Sequence, residues 1–124
     1  MKNKIQLLVI LFFIIFFNIS CEYEKIKPDT SIPTNVSFQK DVMPMFNRSC
    51  NGSTCHGEGA HAPDLSPNDA YTALTTADYI DTINAEKSEI VIRMKKDMPP
   101  PSGGLSSTDI NKILGWIKQG AKDN

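Results

Sequence analysis

A small all-α domain carried behind an N-terminal targeting segment is the architecture that this 124-residue chain predicts. Three features predict it. Apolar residues recur at helical spacing in Phe38, Val42, Met45 and Phe46, and again in Ile110, Ile113, Leu114 and Ile117, which are the one-sided stripes a helix buries. Ser106-Ser107-Thr108-Asp109 stands in front of the second stripe as a capping box, which satisfies the first free N–H groups of a helix. The length leaves room for one domain, at roughly 100 to 200 residues per domain.

The first element is the targeting segment. Lys2 and Lys4 precede an apolar run, Ile5 to Phe17, broken only by Gln6. A positive start, an apolar stretch and small residues after it read as a secretory signal. The run is short of the roughly 20 apolar residues a spanning helix wants. Cys21 follows Ser20 directly, an arrangement that resembles the bacterial lipobox, whose cysteine is acylated and becomes the first mature residue. Asn18 departs from it by standing where Leu is usual. Residues 1–20 are therefore expected to be a lipoprotein signal, with an ordinary secretory signal or an uncleaved anchor as the other readings. Lipid on Cys21 would hold the protein to a membrane of a bacterial envelope, on its periplasmic or outer-surface face, at about 0.8 kcal/mol per buried CH₂.

Residues 21–36 carry that cysteine and then a polar stretch with Pro28 and Pro33 and no apolar period, which reads as a flexible tether. Loss of residues 1–20 removes two lysines and no acids, taking 13 basic and 14 acidic residues to 11 and 14. A mildly acidic chain excludes nucleic acid as the expected partner. The domain itself, residues 37–124, is small enough that its core calls for a disulfide, a metal or a cofactor.

Within the domain the first helix holds Phe38 to Phe46 and leads into Cys50; Pro44 either kinks it or falls in a first turn that begins near Asp41. A short helix is expected after Ser66, with Pro67 first and Asp69 completing a capping box, carrying Tyr71 and Leu74. A third runs from about Ala85 to Lys95 and buries Ile90, Val91 and Met94. The last begins at Ser106 and stops at Gly120, with Trp116 beside its stripe, placed to pack on the first helix or around a cofactor.

With Cys21 assigned to lipid, two cysteines remain, in Cys50-Asn51-Gly52-Ser53-Thr54-Cys55-His56. A Cys-x-x-Cys-His run is the haem attachment signature: two thiols add to two vinyl groups and the next imidazole binds iron. Here four residues separate the cysteines. Adjacency is strict for Cys55 and His56, whose thioether and Fe–N bond share one face. The longer loop to Cys50 costs only about a few tenths of a kcal/mol in closure entropy, and Gly52, beside Asn51, is expected to supply the positive φ that such a bulge needs. A Cys50–Cys55 disulfide in an oxidising compartment and zinc on Cys50, Cys55, His56 and His61 are the competing readings.

A second axial ligand is available. Met98 precedes Pro99-Pro100-Pro101, which disfavour helix and pre-set an extended strap. A thioether there suits a His/Met haem. Met94 and His61 are the alternatives, while Met43 and Met45 lie too close to the attachment run to reach the opposite face. Arg93, Lys95 and Lys96 beside the strap read as a solvated basic face or as a surface that steers an acidic partner.

Taken together, "FQKDVMPMFNRSCNGSTCH", Met98 with its prolines and "LSSTDINKILGWIKQGA" resemble the small class I c-type cytochromes, particularly domains found in bacterial envelope lipoproteins. The resemblance covers roughly residues 37–121. It implies a class I cytochrome c-like fold in which the N- and C-terminal helices cross beside one covalent haem c, held by Cys50 and Cys55 as thioethers, His56 as proximal ligand and Met98 as distal ligand. The implied function is one-electron transfer to redox protein partners. No nucleophile–base pair, acidic dyad or phosphate-binding glycine loop points to an enzyme or to a small-molecule substrate. A haem-free interaction lipoprotein with the disulfide, and a sensor in which Met98 leaves iron to a small ligand, are the rival functions.

Overall fold

The computed structural model describes residues 31–98 and 105–124, which are all-α: helices and turns with no strand among them. The signal, Cys21 and most of the tether lie outside the described residues, as do the prolines of the strap. No described helix is long and apolar enough to cross a membrane.

The first helix opens as a π-helical segment, Phe38–Val42, and continues as α1, Met43–Ser49, with Pro44 in its first turn. The wider opening follows from Pro44, which has no N–H to give to Lys40 and whose ring would clash with that carbonyl in a regular helix. The Val42 and Met43 N–H groups instead reach back five residues, to Ser37 and Phe38. Ser37 caps the opening: its hydroxyl accepts from the Lys40 N–H, and its own N–H donates to the Asp41 carboxylate at 2.8 Å. Phe38, Val42, Met45 and Phe46 are all buried, as their spacing predicts.

Three further helices complete the body: α2 (Ala70–Thr76), α3 (Glu89–Lys96) and α4 (Ser107–Lys118). Residues 67–69, predicted as the start of α2, form a turn in which the Ser66 carbonyl receives the Asp69 and Ala70 N–H groups. The helix predicted from Ala85 is divided into a 3-10 turn, Ala85–Lys87, and α3. Ser88 divides it, extended and buried, because its hydroxyl is taken by the Asp81 N–H at 2.9 Å. α4 begins at the Ser106 cap, whose hydroxyl accepts from the Asp109 N–H. It ends in a Schellman motif, with the Ala121 N–H on Trp116 O and the Gly120 N–H on Ile117 O. Gly120 has φ +93°, and Ala121 follows at φ +48°.

The core gathers where α4 meets the π segment. Trp116 is buried with its ring centroid 4.9 Å from that of Phe38, and Tyr71 stands edge-on to Phe38 at 5.4 Å. The Trp116 indole N–H, buried with the ring, is satisfied by Lys122 O at 2.8 Å. Beyond it the chain returns to the first helix, where Asn124 accepts from the N–H groups of Gln39 and Phe38 and from the Ser37 hydroxyl.

The end of the stretch read as a tether also packs. Ile32 is half-buried and Val36 buried; Ser31 O accepts from the Asn111 amide, and the Val36 N–H donates to Gln119 Oε1. Residues 31–36 thus run parallel to α4, over Gly115. A Cβ on Gly115 would stand 2.4 Å from Pro33 O and 3.0 Å from Val36 Cγ2. Gly115→Ala gains about 1 kcal/mol in helix propensity and meets a backbone oxygen that has nowhere to go. The expected net result is a loss of about 1–3 kcal/mol, read as a lower urea midpoint at unchanged slope. A variant as stable as the parent would mean that 31–36 does not rest on α4.

Candidate functional site

The loop that carries Cys50, Cys55 and His56 starts from the end of α1. Cys50 is its C-cap, with its N–H on Phe46 O, and from there the loop folds onto itself through His56 N–H to Cys50 O, His61 N–H to Cys55 O and Leu65 N–H to His56 O. Gly57 lies at the centre of this coil. It is buried, and a Cβ there would stand 2.8 Å from Asn51 O and 3.1 Å from Gly52 O. Gly52, expected to adopt a positive φ, does not; among the described residues the left-handed loop glycine is Gly59, at φ +71°. The bulge is made by close backbone approach at Gly57 rather than by strain at Gly52.

This coil fixes the His56 ring. Its Nδ1 lies 3.1 Å from His61 O and 3.1 Å from Pro63 O. Both partners are carbonyl oxygens and only accept, so Nδ1 carries a proton, and in the neutral ring the lone pair is on Nε2. Anchoring of one ring nitrogen by a backbone carbonyl is the usual second shell of a metal-binding imidazole. His61 contributes its carbonyl to this arrangement, and its own side chain is exposed. Among the described residues no group of three or more His, Cys, Asp or Glu side chains is arranged to hold a metal ion, so the zinc set is not assembled.

Two adjoining hollows, of about 260 Å³ and about 380 Å³, lie between this loop and α3. Cys50, His56, Met94 and Met98 line both. Phe46, Leu65 and Ile90 give the first an apolar wall, while Cys55 and His61 border the second. The structure therefore gathers all four predicted cofactor-binding side chains, Cys50, Cys55, His56 and Met98, around one cleft, and adds the runner-up Met94. Met43 and Met45 are buried in the core away from it. Trp116 packs on the first helix and does not reach the cleft.

The two cysteines are free thiols, Cys50 half-buried and Cys55 exposed. Burial pushes the Cys50 thiol up to about 11, against the pull of the neighbouring Arg48 guanidinium. Arg48 Nη2 in turn grips both carboxylate oxygens of Asp109, at 3.0 and 3.1 Å, tying the last turn of α1 to the first turn of α4 beside Cys50. On α3, Arg93 borders the cleft with its Nε 3.3 Å from Asp97 Oδ1, an ion pair outside hydrogen-bond geometry; Lys95 and Lys96 are exposed.

Sequence reasoning missed Gly57, the paired carbonyls of His61 and Pro63, and Leu65 and Tyr79 on the cleft wall. The glycine directly after the Cys-His pair was the one visible signal. The carbonyls carry none, because every residue has one. Compared with protein-family models, with curated proteins and with solved structures, the chain matches none.

Alkylation of the free chain checks the thiol environments. Cys55 is expected to react first. Cys50 is expected to hold about a hundredfold less thiolate at pH 8 than a thiol at 9.0 would, with its rate rising about tenfold per pH unit toward about 11. Equal rates for the two cysteines, followed by peptide mass spectrometry, would mean that Cys50 is not buried against α1.

Proposed function

We propose that this chain is a monohaem c-type cytochrome, a one-electron carrier with a class I cytochrome c-like fold, tethered through Cys21 to a bacterial envelope membrane. The observation that carries the reading is the convergence of two unpaired thiols, an imidazole with its proton fixed on Nδ1, and thioether sulfur on a single apolar-walled cleft. That donor set fits a haem better than it fits a bare metal ion.

In this reading the Cys50 and Cys55 thiols each add S–H across a vinyl double bond, sulfur to one carbon and hydrogen to the other, with no oxidant needed. His56 presents Nε2, and a methionine presents sulfur from the α3 side. Bound there, the haem supplies one-electron iron chemistry at a potential that His/Met ligation raises. Phe46, Leu65 and Ile90 would keep water from a haem held there, which would raise its potential further by disfavouring the more charged oxidised form. With His56 and a methionine both assigned to the iron, no position would be left to a substrate, so the reading is a carrier and not an enzyme. Arg93 at the lip, with Lys95 and Lys96 beside it, suits an acidic redox partner.

The test is expression behind a secretion signal, without the lipid signal, in cells with haem-attachment machinery. A haem mass that survives denaturation, with a pyridine haemochrome band of two thioethers, is the expected result. A single-thioether band would leave Cys50 unbonded. A haem-free chain lighter by two hydrogens, while a control cytochrome matures in the same cells, would establish the disulfide and end the electron-carrier reading.

A further inference from the structure

Two thioethers border the cleft where one is needed. Met94 lies on α3 and is 4% exposed; Met98 lies just beyond the end of that helix and is half-buried. They are held differently. Met94 is fixed by its helix, and its carbonyl receives the Leu105 N–H at 3.0 Å, so the chain returns from beyond Met98 to the Met94 backbone. The Met98 N–H reaches back five residues to Arg93 O, which the Asp97 N–H also uses. Asp97, the C-cap, has left the helix at φ −139° and ψ 0°. Met98, beyond the helix end and half-buried, is therefore the less enclosed member of the pair. Met94 stays in place, and its three side-chain torsions give it reach without backbone change.

We propose that Met94 and Met98 are an exchangeable axial pair, Met98 the resting ligand and Met94 the ligand that takes iron when Met98 is withdrawn. The proposal rests on the haem reading above. The exchange balances without electrons or protons: one iron–sulfur bond breaks and another forms at the same coordination position. The protein would thus keep thioether ligation through a displacement of Met98 instead of opening the iron to solvent.

The experiment uses the holoprotein and three variants, Met98→Leu, Met94→Leu and the double variant, leucine being a volume-conserving replacement for methionine. Denaturing mass spectrometry and circular dichroism first confirm attached haem and native helix. The readouts are the far-red sulfur-to-iron charge-transfer band of the ferric form and the strongly upfield methyl resonance of an iron-bound methionine in the ferrous form. Expected are both signals in each single variant, the Met98→Leu methyl at a new shift, and neither signal in the double variant. Loss of both signals in Met98→Leu, with haem attached and helix intact, would overturn the pair and leave Met98 as sole ligand. Loss in Met94→Leu alone would overturn it in the other direction. Absence of covalent haem from the parent protein would remove the haem reading itself, and the pair with it.

Discussion

The contact between Phe38 and Trp116 is the constraint on which the remaining structure depends. It joins the first turn of the first helix to the last helix across most of the sequence, and the other core elements are arranged around it. Tyr71 brings α2 to the same cluster, and Phe46, eight residues on from Phe38, carries the same helix face to the cleft wall. A domain of this size buries little apolar surface per residue, so a few large rings must do what a broad core does elsewhere. Pro44 adds to this: by forcing a π opening it turns the Phe38 side of the helix relative to the Met45–Phe46 side, and both sides still end up buried.

The helices were legible because their signals are local. Periodicity located the stripes of the first and last helices, and the Ser106 cap marked where α4 begins. Where local signals failed, a distant partner had intervened. Ser88 broke the predicted third helix because Asp81, seven residues earlier, takes its hydroxyl. Residues 31–36 looked like tether because they lack a period, and they are ordered by Gly115 and Gln119 far along the chain. The site divides the same way. Its side chains were read from residue type and order, since thiol, imidazole and thioether announce their chemistry. What holds those side chains was not, because it consists of main-chain oxygens and of one glycine that matters for having no Cβ.

Those carbonyls tie the candidate site to the fold. The carbonyls that hold the His56 proton belong to the same coil that Gly57 compacts, and Leu65, which ends the coil by donating to His56 O, is also on the cleft wall. Ring orientation, loop closure and lining are thus one unit, resting on the end of α1. The opposite side of the cleft is built differently, from one face of α3 and the chain just beyond it. A histidine side held by main-chain carbonyls, facing a methionine side held by a helix and its end, is the asymmetry of this domain.

The return of Asn124 to the opening of the first helix sets an order of events. Phe38 and Gln39 receive their hydrogen-bond acceptors from a residue more than eighty positions away, and the closest ring contact of Phe38 is on the last helix. The helix that leads into Cys50 is therefore completed only once the whole domain has been synthesised. Until then the Cys50–His56 loop belongs to an unfinished fold, and the Cys50 thiol, half-buried in the native protein, is open to solvent. The shelter of Cys50 is complete only when Asn124 reaches the opening of the first helix.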